Sequence, residues 1–225
     1  MTTTAAATRD EGVDPFLAPH WGTSALLVID TQVDFAEGGS TPVAGTRAVV
    51  PGLVSLVEAY RRAGRLVVHV VRLYDGDDVD RVRRAAVAAG APVVRPGTPG
   101  SAILPELVPP GAPPLDPPTL LAGRAQELGP DEVALWKPRW SAFYRTPLEE
   151  LLRERGVDTV VVVGCNFPNC PRATVTDASE RDLRVVVVPD AVSGTTEEGL
   201  AQVAGLGVVL RPVRDVVAAV ARDAG

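Results

Sequence analysis

The sequence predicts a single α/β domain built on a doubly wound, six-stranded and mostly parallel sheet with helices on both faces, a Rossmann-like three-layer arrangement. Apolar runs without polar alternation, such as residues 24–29 and 159–163, are typical of parallel strands that are buried on both faces. Segments with the period of amphipathic helices separate these runs along the chain. A chain of 225 residues with 46% hydrophobic content can bury one substantial core, so no second domain is needed.

The elements follow one another in regular order. Residues 1–22 are predicted to form a partly disordered N-terminal arm, in which Phe16, Leu17 and Trp21 can pack on the domain at residues 23–225 or on a neighbouring subunit. The predicted strands are residues 24–29, 65–71, 132–136, 159–163, 184–188 and 208–210. The predicted helices are residues 48–63, 75–90, 147–155, 195–204 and 213–221, together with one that begins at Cys170.

Residues at the ends of the helical segments support these limits. The helix at residues 48–63 has Arg61 and Arg62 in its last turn, where cations interact favourably with the helix dipole, and a glycine follows it. The helix at residues 147–155 starts with proline, carries acidic residues in its first turn and is followed by Gly156. The alternation of strands and helices therefore rests on start and stop signals as well as on hydrophobic period.

A proline-rich insertion at residues 91–132 interrupts this order. Its prolines stand at positions 92, 96, 99, 105, 109, 110, 113, 114, 117, 118 and 130, so most of it cannot form a regular helix or a central strand. A short helix is predicted within it at residues 120–126. Long segments of this kind usually form a lid, a binding loop or an oligomer contact, and a plain surface excursion is an equal alternative.

Composition excludes several classes of function. The formal charge is −6, and the basic residues are scattered, which argues against nucleic acid and anionic membrane surfaces as partners. No apolar run approaches the length of a membrane span and no leader pattern is present, so a cytoplasmic protein is expected. Two cysteines and two histidines form neither a disulfide framework nor a metal-ligand cluster, so no cofactor and no metal are expected.

Cys170 is the first candidate for chemistry. It follows a strand and a tight turn and precedes Pro171, which is tolerated in the first turn of a helix. The unpaired N–H groups and the dipole at a helix N-terminus favour a thiolate over a thiol, so a nucleophile is predicted. The alternative is a buried cysteine that behaves as a small hydrophobe, which is the interpretation preferred for Cys165.

Two further strand ends carry charged residues. Asp30 follows the strand at residues 24–29, and Lys137 follows the strand at residues 132–136. Strand ends at one edge of a parallel sheet converge, so both residues are predicted to meet Cys170 there. For Asp30 a capping or turn role is the alternative, and His69, which lies within a strand, is predicted to be a core histidine hydrogen-bonded to a neighbour.

Three segments that carry these residues resemble the isochorismatase-like cysteine hydrolases. They are ALLVIDTQVDFAEGG, WKPRWSAFYRTPLEELLRERGVDTVVVVG and CPRATVTDASERDLRVVVVPDAVSG, and the resemblance covers about residues 22–195. It implies a triad in which Asp30 is the general base, Lys137 tunes the pKa values of its neighbours and Cys170 attacks a carbonyl carbon. It also implies a cis peptide bond between Cys165 and Asn166, an oxyanion hole formed by the N–H groups of Asn166 and Cys170, and a homodimer or homotetramer.

The superfamily includes nicotinamidases, N-carbamoyl amidohydrolases and isochorismatases. Differences between this sequence and two of these groups argue against some of their activities. The histidine-rich metal site of nicotinamidases is missing after the second strand, and ether-cleaving isochorismatases typically lack the nucleophilic cysteine that Cys170 supplies. A metal-independent hydrolase is therefore expected, which cleaves a carboxamide, N-carbamoyl compound or lactam through a thioester. The alternatives are a vinyl ether hydrolase in which Cys170 is incidental and a catalytically silent binding module.

Substrate contacts are predicted only broadly. Aromatic residues near the triad can line an apolar pocket, although ordinary core packing is an equal alternative for each of them. These residues are Phe35, Trp140, Phe143 and Tyr144. Either Arg139 or Arg172 can receive a substrate carboxylate, and the substrate is expected to be a small molecule.

Overall fold

The protein is an α/β sandwich around a seven-stranded sheet. The structure, a computed structural model, describes residues 12–76 and 78–223. The strands are β1 (Ser24–Ile29), β2 (Val67–Val71), β3 (Gln126–Gly129), β4 (Glu132–Trp136), β5 (Thr159–Gly164), β6 (Arg184–Val192) and β7 (Val209–Leu210). They are ordered β3-β4-β2-β1-β5-β6-β7, and every neighbouring pair is parallel except β3 with β4.

Helices cover the sheet in two groups. They are α1 (Thr46–Arg62), α2 (Arg81–Ala88), α3 (Pro117–Leu121), α4 (Leu148–Glu154), α5 (Cys170–Ser179), α6 (Glu197–Ala204) and α7 (Val213–Arg222). Helix α1 contacts α7 and the central strands, whereas α5 contacts α6, β5 and β6. Every residue of β1 and β5 is buried, which requires cover on both faces of the sheet and accounts for their unbroken apolar sequences. The predicted doubly wound architecture is confirmed.

The count of six strands is wrong by one. The short helix predicted at residues 120–126 lies earlier, at α3, where two prolines begin it and Gly123, with φ of 76°, follows its end. Gln126 instead begins β3, which pairs with β4 across a tight turn that contains Asp131 at φ of 51°. Strand β3 lies at the sheet edge and is antiparallel, so its identity depends on its partner and not on an apolar run.

The second helix is also shorter than predicted. Helix α2 begins at Arg81, whereas the prediction placed its start at residue 75. Two contacts hold the preceding segment in an irregular path: Tyr74 Oη donates a hydrogen bond to Asp80 Oδ2 at 3.0 Å, and Arg72 forms an ion pair with the same oxygen at 2.8 Å. Asp80, which was predicted to be helical, instead contacts the residues that follow the end of β2.

The proline-rich insertion packs against the domain and does not project from it. Leu104 and Leu107 are fully buried. The N–H of Val94 donates to Asp34 Oδ2 at 2.6 Å, and the N–H of Leu104 donates to the carbonyl oxygen of Thr31 at 2.9 Å. These bonds tie the insertion to the segment that follows β1.

The predicted N-terminal arm falls partly outside the described residues. Within residues 12–22, Trp21 belongs to the hydrophobic core, whereas 85% of Phe16 is exposed. Side chains of Thr23 and His20 both bond the carboxylate of Asp158, which fixes the end of the arm to the start of β5. In the part of the chain that the structure describes, no helix combines the length and the apolar character needed to cross a bilayer.

Candidate active site

Three chain segments meet at the carboxyl edge of the central strands. Asp30 follows β1 and its N–H donates to the carbonyl oxygen of Val70, while Lys137 follows β4 and its N–H donates to the carbonyl oxygen of Val71. Both residues therefore flank the end of β2, and their side chains meet across it. Cys170 reaches the same place from the first turn of α5. The predicted convergence of Asp30 and Lys137 follows from the parallel order β4-β2-β1.

Asp30 and Lys137 form a buried ion pair. Lys137 is 0% exposed, and its Nζ lies 2.8 Å from Asp30 Oδ2. The other carboxylate oxygen, Oδ1, is buried without a well-formed hydrogen bond to any described residue. The thiol of Cys170 interacts with this same carboxylate, so Asp30 has one oxygen held by a cation and one available to the sulfur.

Cys170 is held as a thiol. Burial raises the pKa of the Cys170 thiol and the negative charge of Asp30 raises it further, while the positive charges of Lys137 and Arg72 oppose both effects only in part. The helix N-terminus favours a thiolate, as predicted from the sequence, but burial beside the carboxylate of Asp30 outweighs that effect and raises the pKa of Cys170. A base must remove the proton when the sulfur reacts.

The turn between β5 and α5 is shaped by close packing of two strands. Gly164 has φ of 112°, and a Cβ at this position would lie 2.2 Å from the carbonyl oxygen of Ile29, so only glycine is accommodated. The peptide bond between Cys165 and Asn166 is cis, as the resemblance implies. The N–H groups of Asn166 and Cys170 donate no hydrogen bond to any residue in the described ranges. Two backbone donors are thus left beside the sulfur.

Asp30, Asn166 and Cys170 open onto one cavity with a volume of about 380 Å³, which is the size of a small-molecule site. It is lined by Asp30, Phe35, Val43, Arg72, Tyr74, Asp80, Val82, Arg83, Trp140, Cys165, Asn166, Asn169 and Cys170. A shallower groove adjoins it through the shared residues Asp80, Val82 and Trp140. No residue of the insertion at 91–132 is among those lining residues, although a lid or a binding loop was among the predictions for it.

The predicted substrate contacts divide into two groups. Phe35 and Trp140 line the cavity, and Tyr144 lines the adjoining groove. Phe143 instead packs in the core, where the guanidinium of Arg181 lies 4.8 Å from its ring centre, so its predicted place in the pocket is wrong.

Both arginines predicted to receive a carboxylate are already occupied. Arg172 is exposed and donates to Gln202 Oε1 at 2.7 Å, and it does not line the cavity. Its assignment as a substrate contact is therefore wrong, because it points along α5 toward α6. Arg139 lines the adjoining groove and forms an ion pair with Asp78 at 2.8 Å.

Arg72 is a functional candidate that the sequence reasoning missed. It is 2% exposed, and its Nη2 lies 3.7 Å from Cys170 Sγ. Burial alone would lower the pKa of Arg72, but the negative charge that Cys170 carries as a thiolate and the charge of Asp30 raise it, so the guanidinium stays charged beside the sulfur. Arg72 directly follows β2, and the rule that selected Asp30 and Lys137 from strand ends applies equally to this position.

His69 belongs to a separate buried network. Its Nε2 lies 2.7 Å from Glu132 Oε1, and Arg61 binds both oxygens of the same carboxylate at 2.6 and 2.7 Å. Burial raises the pKa of Glu132, but the hydrogen bonds from Arg61 and His69 outweigh that effect and lower it. The prediction of a hydrogen-bonded core histidine is confirmed. Among the described residues, no group of three or more His, Cys, Asp or Glu side chains could hold a metal ion.

The raised pKa of Cys170 predicts an unusual pH dependence of alkylation. Free cysteine has a pKa of 9.0, so its reaction with iodoacetamide levels off above that pH, whereas the rate at Cys170 is expected to keep rising. Burial raises the pKa of Cys165 to about 12, so Cys165 is expected to react far more slowly than Cys170. Mass spectrometry of the two cysteine peptides after timed labelling at each pH measures both rates.

Asp30→Asn tests the cause of that raised pKa. Removing the negative charge leaves Lys137 and Arg72 to stabilise the thiolate, so the variant is expected to alkylate faster than the wild type at neutral pH. An unchanged or slower rate in a folded Asp30→Asn protein would show that Asp30 does not control the proton of Cys170.

Known proteins resemble this chain in sequence and in fold. A family model described as the isochorismatase domain matches residues 24–117 and 111–209. The chain is 36% identical over 188 residues to a probable inactive nicotinamidase of Arabidopsis thaliana, with 81% of this chain and 86% of that protein covered. It is 34% identical over 181 residues to the maleamate amidohydrolase of Pseudomonas putida, with 75% of this chain and 71% of that protein covered.

A solved structure shows the same likeness in three dimensions. The crystal structure of an isochorismatase family protein from Desulfovibrio vulgaris matches with a TM-score of 0.75 and 35% sequence identity, covering 89% of this chain and 99% of that chain. The ranges matched by the family model contain Asp30, Lys137 and Cys170.

Proposed function

The chain belongs to the isochorismatase domain family, and on that premise we propose that it is a cysteine hydrolase that cleaves an amide-type C–N bond of a small molecule without a metal. The observation that carries the proposal is that Asp30 and Cys170 line one cavity of small-molecule size while Lys137 forms an ion pair with Asp30 behind it. The likeness to a maleamate amidohydrolase supports the choice of a C–N bond. The bond belongs to a carboxamide, an N-carbamoyl compound or a lactam.

In the first step the sulfur attacks the carbonyl carbon. Asp30 accepts the thiol proton as the S–C bond forms, and the carbonyl oxygen becomes an oxyanion. The N–H groups of Asn166 and Cys170, which have no acceptor among the described residues, would donate to that oxyanion. A thiol at rest suits this step, because proton removal and bond formation can occur together.

The tetrahedral intermediate then collapses. The C–N bond breaks while Asp30 returns its proton to the leaving nitrogen, and the acyl group remains on Cys170 as a thioester. The nitrogen departs as ammonia or an amine, or, in a lactam, stays on the acyl group as the amine of the opened ring. A water molecule attacks the thioester as Asp30 takes one of its protons. The C–S bond then breaks, the thiolate of Cys170 regains the proton, and the carboxylic acid leaves.

Two cations support these transfers, one at the base and one at the sulfur. Lys137 holds Asp30 Oδ2 and keeps the carboxylate in place while Oδ1 exchanges the proton. Arg72 lies close to Sγ, where its charge favours the thiolate as the proton leaves and again when the thioester breaks. Asp80 fixes the guanidinium of Arg72 in that position.

A silent binding protein is the second candidate, because one similar relative is described as a probable inactive nicotinamidase. A screen for ammonia release from carboxamides and ureido acids, and for ring opening of lactams by mass spectrometry, separates the two, with the Cys170→Ala protein as the blank. An active enzyme releases ammonia or the ring-opened amino acid, and it carries the acyl group as a mass adduct on Cys170 during turnover of a slow substrate. A folded wild-type protein without release or adduct across the three classes would favour the silent interpretation.

A further inference from the structure

Arg83 is the charged group at the cavity that the proposed mechanism does not use. It lies in the first turn of α2, its side chain is half-buried, and it lines the cavity that contains Cys170. In residues 12–76 and 78–223 its guanidinium has neither a hydrogen-bond acceptor nor an ion-pair partner. A half-buried arginine without a partner in a binding cavity is a receptor for an anion.

The charges around the cavity isolate Arg83 further. The described charged residues that line it are Asp30, Arg72, Asp80 and Arg83. Lys137 neutralises Asp30, and Asp80 neutralises Arg72. Among these groups one positive charge, that of Arg83, is left without compensation, so a bound anion would balance the site.

The walls of the cavity limit what carries the anion. Phe35, Tyr74 and Trp140 supply aromatic surface to the lining, and Val43 and Val82 supply aliphatic surface. A volume of about 380 Å³ admits a short carbon skeleton with two functional groups. One group must present a carbonyl carbon to Cys170, and the other can reach Arg83.

We propose that the substrate is a small amide that also bears a carboxylate, and that Arg83 binds this carboxylate while the amide carbonyl faces Cys170. This inference rests on the proposed function, since it assigns the second functional group of the molecule that the cysteine cleaves. The planar guanidinium matches a carboxylate through two parallel N–H···O bonds, so Arg83 orients the substrate as well as attracting it. Arg83 is thereby a specificity-determining residue.

The kinetic test uses matched pairs of amides. Half-amides of dicarboxylic acids, with succinamate and its homologues one carbon shorter and longer, are compared with the corresponding neutral diamides. The wild-type protein is expected to favour the half-amide by about 10- to 100-fold in kcat/KM, as befits a charged hydrogen-bonded pair. Equal values for half-amides and diamides would overturn the inference.

Arg83→Met is expected to remove that preference mainly through a higher KM for the half-amide and to leave the diamide nearly unchanged. Arg83→Lys, which keeps the charge without the planar fork, is expected to retain part of the preference. Arg84→Met is the matched control, because Arg84 lies on the same helix, is exposed and does not line the cavity. A preference that survives in a folded Arg83→Met protein would contradict the proposal.

Binding to the Cys170→Ala protein separates this inference from the proposed function. Calorimetry is expected to show that half-amides bind more tightly than diamides, and that adding Arg83→Met, but not Arg84→Met, removes the difference. Hydrolysis of diamides without charge-dependent binding would leave the amide hydrolase intact and reject the role of Arg83. Charge-dependent binding through Arg83 in a protein that hydrolyses no amide would support the anion site and reject the hydrolase.

Discussion

Replacing Cys170 by alanine is expected to lower kcat/KM for an amide substrate by at least about 10⁴-fold, because loss of a covalent nucleophile removes the route through a thioester. The fold should survive, since Cys170 is a small buried side chain and alanine keeps the helix start of α5. Steady-state ammonia release gives the rate, and an unfolding curve in urea confirms that the variant is folded.

Cys170→Ser sharpens this test by changing a single atom. The hydroxyl fits the space of the thiol, but Asp30 must remove its proton from a far weaker acid, so nearly the whole loss of rate is expected to persist. A Cys170→Ala protein that keeps activity within about tenfold of the wild type would contradict the nucleophilic role. Such a result would favour the ether-cleaving alternative, in which Asp30 performs acid chemistry and the cysteine is incidental.

The part of this site that the sequence predicted is the part that sheet topology determines. Asp30 and Lys137 are 107 positions apart, yet both directly follow apolar runs. Parallel strands bring such positions to one edge whatever the loops between them do. The central strands were recognised for the same reason, because burial on both faces leaves an unbroken apolar sequence.

What the sequence did not predict depends on contacts between side chains. Helix α2 begins at Arg81, where Arg72 and Tyr74 hold Asp80, and the turn signal of Asp75 and Gly76 does not by itself show how far the irregular segment extends. Strand β3 has the sequence QELG, whose strand character comes from pairing with β4 and not from its own composition. Local propensity is a weak guide wherever a tertiary partner decides the conformation.

The pKa of Cys170 also depends on contacts that the sequence does not reveal. The sequence places the sulfur at a helix N-terminus, which lowers a thiol pKa, but it does not reveal that the group is also buried beside Asp30. Burial and the adjacent negative charge prevail and raise the pKa of Cys170. The raised pKa is consistent with the general base that the resemblance implies, because Asp30 must take the proton of Cys170 during the attack.

Replacing Lys137 by methionine is expected to have the largest effect on stability. Lys137 is fully buried, and methionine fills a similar volume but leaves the carboxylate of Asp30 in the interior without its cation. Breaking a buried ion pair by removing one partner costs about 3–5 kcal/mol, because an uncompensated charge remains. Urea unfolding at neutral pH measures the loss, and hydrolysis should fall with it because the general base is then held in place by no cation.

The double variant Asp30→Asn/Lys137→Met separates the cost of the stranded charge from the cost of losing the pair. With both charges gone, the free energy of unfolding is expected to recover by about 2 kcal/mol or more relative to Lys137→Met, while activity stays absent. Stability would then return in the double variant while catalysis does not. That pattern would show that the ion pair serves the reaction. If it served only the packing of the core, activity would return together with stability. A double variant no more stable than Lys137→Met would instead show that the lysine contributes mainly through packing and that Asp30 carries no buried charge for it to balance.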